Sequence, residues 1–257
     1  MTWMTTNVIC RIQKVLASDS RWSTDPLADQ PTCIAFVDNT GFDKLAVSSL
    51  YALVFAGDGE LIARWKTWFL APVLNFASVP PVHRLIPDTN KLRSIVISLV
   101  KNSTAEVIFA SGDFMAHRED ARFAGSGAQF AKSCYAVNSC AKIAVNTAGA
   151  SDPATGGEAK FVELSTGKNN LSVMQATLFD MKNALEQRGF IMDTITKAVT
   201  PISEWMPEAV GARRALASAV ASVSAPTGLP TRCWTDEEQS DLIRALHQVA
   251  AEEHRQA

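Results

Sequence analysis

Strand-like and helix-like segments come in blocks along this chain rather than alternating, and that order limits the folds open to it. Asn7 to Ile12 and Lys14 to Ala17 alternate and are rich in Val, Ile and Leu, which predicts two short strands joined by a tight turn near Gln13. Trp22 to Thr32, rich in Pro, Asp and Ser, reads as a loop. Further strands are predicted at Ile34 to Val37, Leu45 to Ser48 and Tyr51 to Phe55. After Ala56-Gly57-Asp58-Gly59 the pattern turns helical, with Leu61, Ile62, Trp65 and Phe69 on one face. Leu92 to His117 reads as a meander of antiparallel strands. Beyond Gly125-Ser126-Gly127 the pattern is helical to about Ala148, with Phe130, Cys134, Val137, Ala141, Ile143 and Ala144 as its apolar positions, and Glu158 to Leu164 looks like one more strand. Strands in blocks followed by helices in blocks predict an α+β fold with antiparallel sheets, not a doubly wound parallel one.

From about Leu171 the composition shifts to Ala-rich helices: one ending near Gly189, one around Glu208 to Ser222, and a last one after a Ser-Ala-Pro-Thr-Gly-Leu-Pro linker. Thr235 with Glu238 makes a capping box for that helix, and Leu242, Leu246 and Val249 form its apolar stripe. The segment is expected to be an appendage to the sheet domain.

The bulk properties exclude several functions. A formal net charge of −2 over 257 residues, with basic residues scattered, gives no field for nucleic acid or an anionic membrane surface. The longest apolar run, Leu50 to Gly57, is far shorter than the roughly 20 residues of a membrane helix, and no signal-peptide pattern opens the sequence. Cys10, Cys33, Cys134, Cys140 and Cys233 are odd in number and contain no CxxC pair, which fits neither a disulfide framework nor a zinc cage. These features lead to the expectation of a cytoplasmic protein, with Cys134 and Cys140, six apart on a predicted helix, as buried structural thiols. The histidines His83, His117, His247 and His254 are dispersed and receive no role.

Three segments carry a more specific signal. Met4-Thr5-Thr6 is followed by Val15-Leu16-Ala17-Ser18-Asp19-Ser20-Arg21; Lys44 is followed by Phe55-Ala56-Gly57; and Gly125-Ser126-Gly127 is followed by Ser151-Asp152-Pro153-Ala154-Thr155-Gly156-Gly157. In this order, over residues 4 to about 165, they resemble the proteasome β-subunits and the bacterial HslV-type peptidases, which are N-terminal-nucleophile hydrolases. The last segment is similar to the family's Asp-x-x-Ser-Gly-Gly element, with threonine in place of serine.

The resemblance implies a chemistry. A threonine hydroxyl is a weak nucleophile near neutral pH, and an N-terminal threonine carries its own base in its α-amino group, whose reference pKa is about 7.7 to 8.0. By resemblance Thr5 is the nucleophile, Lys44 favours the developing alkoxide, Asp19 holds that lysine charged and aimed, and the Gly57 N–H donates to the oxyanion. Ser126, Asp152 and Thr155 would surround the α-amino group. Thr2 is the alternative nucleophile. Thr5 is favoured because its separation from Asp19 differs from the family spacing by an even number, so a hairpin shortened by one pair keeps each side chain on its face. Residues 1–4 would then be a leader or a mis-assigned start. Trp22, Ser23, Phe42 and Phe55 occupy the family's substrate-pocket positions; the aromatic three would favour an apolar side chain, or are simply core.

The fold implied is a four-layer αββα sandwich over residues 5–170, with residues 171–257 as a helical C-terminal extension that clamps a neighbour, lines an entrance, docks a partner or packs back on the sheets. The activity implied is a threonine-type endopeptidase in a self-compartmentalised homo-oligomeric ring or double ring, acting on peptides or unfolded proteins, with a separate ATPase unfoldase as a possible feeder and with no metal or organic cofactor. Two alternatives are a catalytically inactive structural ring subunit and an N-terminal-nucleophile amidase acting on a small molecule.

Overall fold

The first hairpin has apolar residues on both faces, so a single covering layer cannot bury it. In the computed structural model, which describes every residue except 1–4, 87–89, 112–113, 175, 206–209, 228–229 and 257, strands β1 (Thr6–Cys10) and β2 (Val15–Ser18) pair antiparallel around a turn in which Lys14 has φ 51°. There follow β3 (Trp22–Leu27), β4 (Gln30–Val37), β5 (Leu45–Val47) and β6 (Tyr51–Asp58), which runs into helix α1 (Gly59–Phe69). Next come β7 (His83–Leu85), β8 (Leu92–Lys101), β9 (Glu106–Ala110), β10 (Met115–His117) and β11 (Ala121–Gly125). Helices α2 (Ala128–Asn138) and α3 (Ala141–Ser151) precede β12 (Lys160–Glu163). The rest of the chain forms α4 (Leu178–Arg188), β13 (Phe190–Asp193), β14 (Val199–Pro201), α5 (Ile202–Trp205), α6 (Val210–Ala221), β15 (Ser224–Ala225) and α7 (Asp236–Gln256).

Two antiparallel sheets organise these elements. The smaller has five strands in the order β10-β11-β1-β2-β12; the larger has ten, in the order β14-β13-β4-β3-β15-β6-β8-β7, with β5 on β6 and β9 on β8. Val8, Cys10, Val15 and Ala17 point from the small sheet to Ala131, Tyr135, Ala144 and Ala148 of α2 and α3. On its other face Ile9, Leu16 and Val162 meet Leu45, Ala52, Val54 and Val100 of the large sheet. Strand β6 is buried at all eight positions because its alternate residues Tyr51, Leu53 and Phe55 enter a second core with Trp65 of α1, Leu185 of α4 and Leu246 of α7. A continuous apolar run is what a strand covered on both faces requires.

The expected four-layer αββα sandwich with a helical extension is corrected by the sheets themselves. The fold is sheet-rich, its two sheets are unequal, and the larger draws three strands, β13, β14 and β15, from beyond residue 170. The short strand Phe190–Asp193 carries too few residues for a periodicity to show; its pairing with β4 and β14 defines it.

Two local expectations also change. Trp22 to Thr32 is a hairpin rather than a loop: Pro26 sits where the β3–β4 register shifts, and Asp25 is neutralised by Arg93 at 2.6 Å and by Lys91. The helical stretch after Gly127 breaks at Ser139, which has φ 54°, and its buried face is the alanine and tyrosine row, leaving Phe130, Val137 and Ile143 exposed. The capping box of α7 is present, with the Thr235 N–H donating to Glu238 at 2.9 Å and the Glu238 N–H to Thr235 Oγ1 at 3.1 Å. Leu242, Leu246 and Val249 are buried as the stripe requires. Among the described residues, no helix is long and apolar enough to cross a membrane.

Lys66 of α1 is buried, donates to the Asp43 carbonyl at 2.5 Å and lies 4.7 Å from the Phe42 ring centre. Burial pulls its pKa from 10.5 down to about 8, against the attraction of Asp43. The folded state therefore binds fewer protons than the unfolded state between about pH 8 and 10.5, so the destabilisation is present below pH 8 and is relieved as pH rises through that window. The unfolding free energy of the wild type, measured against Lys66→Met, is expected to gain about 3 kcal/mol between pH 7.5 and 11. A flat difference in urea titrations would show that Lys66 is solvated.

Candidate active site

Thr5 sits one residue before β1, held from both sides by backbone. The Gly127 N–H donates to its carbonyl at 3.3 Å, and its own N–H donates to the Pro226 carbonyl at 2.7 Å. Gly125, with φ +91°, lets β11 pass close beneath: a Cβ there would stand 2.0 Å from the Thr5 oxygen. The Asp19 N–H donates to Thr6 at 3.1 Å, continuing the β1–β2 hairpin and bringing the end of β2 beside the start of β1. Lys44 immediately precedes β5, and its carbonyl accepts from Phe55 at 3.0 Å, fixing the loop from which the ammonium reaches inward.

These elements converge on one buried hydroxyl. Lys44 Nζ donates to Thr5 Oγ1, Thr5 Oγ1 donates to Asp19 Oδ1, and Lys44 Nζ is 2.8 Å from the same carboxylate oxygen. All three residues are at most 2% exposed. Asp19 also accepts from the N–H groups of Thr6 at 2.9 Å, Arg21 at 3.1 Å and Gly156 at 3.3 Å, so its position is set by four separate donors besides the hydroxyl. Burial lowers the pKa of Lys44 from its ordinary 10.5, with Asp19 opposing that shift. A lysine of this kind stays close to a carboxylate yet gives up a proton more readily than one in water.

A second cluster lies next to the first. Asp152, at the C-terminal end of α3, accepts from Ser126 Oγ and, at 2.6 Å, from Thr155 Oγ1. Its burial raises its pKa, and the hydrogen bonds from Ser126, Thr155 and the Ala154 N–H work the other way. Thr6 joins the clusters, its N–H on Asp19 and its Oγ1 2.7 Å from Thr155 Oγ1. Gly127 must be glycine for this contact, since a Cβ would fall 1.9 Å from Thr6 Oγ1.

Of the residues singled out in the sequence, Thr5, Asp19 and Lys44 are brought into direct contact, and Ser126, Asp152 and Thr155 into an adjoining network. Gly57, with φ +110°, ends β6 between Ile95 of β8 and Ala225 of β15, and a Cβ there would lie 2.4 Å from the Ser94 carbonyl oxygen. Trp22, Phe42 and Phe55 lie in the core beneath the large sheet. The Trp22 indole donates to the Phe42 carbonyl at 2.8 Å, and the two rings are 4.9 Å apart. Lys44 Nζ is 5.4 Å from the Trp22 ring centre, so that indole walls the lysine. Ser23 is buried in β3, and its hydroxyl has no hydrogen-bond partner among the described residues. Thr2 and the segment 1–4 lie outside the described residues, as does Glu208 at the predicted start of a tail helix.

Three residues assigned no individual role from the sequence take part. Thr6, the second of the paired threonines, links the clusters. Arg21 grips Asp38 through two 2.8 Å bonds and donates to the Pro153 carbonyl at 2.7 Å, tying the loop of Asp152 and Thr155 to β4; Gly156 gives it room. Arg21 already stands in the Asp19-Ser20-Arg21 motif, but its partners Asp38 and Pro153 lie in other segments. Pro226 comes from a segment that looked like a linker and gave no signal at all. Compared with known proteins, the chain matches no protein-family model, and no curated protein or solved structure is similar enough to count as a match.

Proposed function

We propose that the protein is a threonine-type endopeptidase whose nucleophile is Thr5, acting once Thr5 is the first residue of the chain. The observation that carries the reading is the buried Thr5 hydroxyl held simultaneously by the Lys44 ammonium and the Asp19 carboxylate. Three residues from separate motifs place an ammonium and a carboxylate on one hydroxyl. A buried ion pair of this kind is weak grounds for stability in itself, since desolvation consumes much of its attraction.

The chemistry uses side chains, backbone and water alone. Thr5 Oγ attacks the carbonyl carbon of a peptide bond while its proton passes to the free α-amino nitrogen, directly or through one water. Lys44, charged beside the oxygen, favours the developing alkoxide, and the tetrahedral oxyanion forms against the Gly57 backbone. Collapse of that intermediate breaks the C–N bond, and the amino group returns the proton to the leaving amine. The ester left on Thr5 is then hydrolysed by water, which regenerates the hydroxyl and releases the acid. Ser126, Asp152 and Thr155 lie one hydrogen-bonded residue, Thr6, away from the nucleophile and orient the start of β1.

By the same resemblance the enzyme works in the cytoplasm as a homo-oligomeric ring or double ring on peptides or unfolded proteins, with an ATPase unfoldase as a possible feeder. The test compares two preparations, one carrying residues 1–4 and one liberated so that it begins at Thr5, with intact mass confirming each start. Fluorogenic peptides are expected to be cleaved only by the second, and size-exclusion chromatography should place it in a large closed particle. Equal hydrolysis by both preparations would remove Thr5 as an N-terminal nucleophile. A monomer that cleaves a small amide but no peptide would favour the amidase reading.

A further inference from the structure

Strand β15 is two residues long, yet it lies inside the ten-stranded sheet with longer strands on both sides. Ser224 is the register partner of Ser23 on β3 and of Asp58 on β6, and Ala225 is the partner of Gly57. Both pairings are antiparallel. The segment is seated at each end as well: the Gly59 N–H donates to the Val223 carbonyl at 3.1 Å, and the Thr5 N–H to the Pro226 carbonyl at 2.7 Å. Gly59 is a close approach, since a Cβ there would stand 2.9 Å from the Val223 oxygen. Neighbouring strands in a sheet are about 4.8 Å apart, so β3 and β6 flank a slot one strand wide, and Thr5 stands at its end.

A slot between two strand edges takes an extended peptide through main-chain hydrogen bonds, with little demand on sequence. We propose that this slot is the peptide-binding cleft and that residues 223–226 are its internal occupant, a strand of the chain's own tail that holds the cleft closed. The proposal rests on the peptidase reading of Thr5 and adds its regulation. The occupant's carbonyl takes the Thr5 nitrogen as its donor, so it covers the group that must receive the nucleophile's proton. Ser224, Ala225 and Pro226 carry small side chains, and Ser224 and Ala225 are buried, which leaves no room for a second strand. Tethering makes the tail a strong competitor: a short flexible connection gives a roughly millimolar effective concentration, which a peptide in trans must exceed.

The test uses a 19F-labelled peptide of residues 222–227, Ser-Val-Ser-Ala-Pro-Thr, titrated into the full chain carrying Thr5→Ala and followed by NMR. Two variants move the strand in opposite senses. Ala225→Pro disrupts its hydrogen bonding to the neighbouring strands, and Ser23→Cys with Ser224→Cys clamps it to β3 when oxidised. The peptide is expected to bind Ala225→Pro at least tenfold more tightly than the unmodified tail. Binding should vanish in the oxidised clamp and return on reduction of that same protein. Equal binding to the oxidised and reduced clamp overturns the proposal, and that comparison decides the matter even if Ala225→Pro does not fold. No binding to a folded Ala225→Pro overturns it equally. The same variants with Thr5 restored at the chain start separate this proposal from its premise. Hydrolysis that is indifferent to the clamp sinks the closed cleft and leaves the peptidase standing. Peptide binding that follows the clamp without hydrolysis in any form sinks the peptidase and leaves the occupied cleft.

Discussion

A chain liberated at residue 5 with alanine in place of Thr5 is expected to hydrolyse peptides on the order of 10⁴-fold more slowly than its threonine counterpart, with a comparatively small loss of stability. The large loss follows because no other side chain in the cluster can form the acyl intermediate: Lys44 and Asp19 act on the hydroxyl, and without it they face each other. The small structural effect follows because the Lys44–Asp19 pair is intact at 2.8 Å and Asp19 keeps its three backbone donors. What is removed is the hydroxyl's two hydrogen bonds, from Lys44 and to Asp19, about 1 kcal/mol net each. Thr5→Ser, which keeps the hydroxyl, should retain measurable hydrolysis. Steady-state rates and a thermal melt on the same preparations check both halves, and an alanine variant within tenfold of the parent would mean that the nucleophile lies elsewhere.

Asp19→Ala should do the opposite to stability, lowering the unfolding free energy by about 4 kcal/mol. The side chain it removes is the partner of an ammonium that has no solvent exposure, and the acceptor of the Thr6, Arg21 and Gly156 amides. An ion pair made inside a protein gains little net energy, but breaking it strands the surviving charge. Burial already lowers the pKa of Lys44, and losing Asp19 removes the chief influence that opposes this. Adding Lys44→Met to the Asp19→Ala chain should therefore recover about half the loss, because the stranded charge goes while the unpaired amides remain. Urea denaturation of the four members of this cycle gives the coupling directly. An Asp19→Ala cost below about 1 kcal/mol would show that water reaches the pair in solution.

The two experiments separate chemistry from architecture. Thr5 has little to do with holding the site together, whereas Asp19 is both a partner in the proposed reaction and the point where β1, β2 and the 153–157 loop are joined. Loss of activity in an Asp19 variant would accordingly say less about mechanism than the same loss at Thr5. The pH dependence of the Lys66 pair lies outside this network and offers an independent measure of how dry the core beneath β6 is.

Several parts of the molecule were fixed by local sequence. The β1–β2 hairpin followed from alternation, α1 from the spacing of Leu61, Ile62, Trp65 and Phe69, and the start of α7 from Thr235 and Glu238. In each of these, the interactions that define the element lie within a few residues of one another. The candidate site residues stand in short motifs, but the contacts that bring Thr5, Asp19, Lys44 and Thr155 together run between segments distant in the chain. What the sequence alone left open is whatever depends on pairing between distant segments. Residues 22–32 looked like a loop because Asp25 and Pro26 are polar and rigid; Arg93 and a register shift against β4 are what admit them to a sheet. Helix α2 presents Ala131 and Tyr135 to the small sheet instead of Phe130 and Val137, a choice made by the packing surface rather than by the helix. Above all, Ser224 and Ala225 have no strand propensity to display. They are a strand because β3 and β6 leave room for one, and main-chain hydrogen bonding to two neighbours does not depend on which side chains the segment carries.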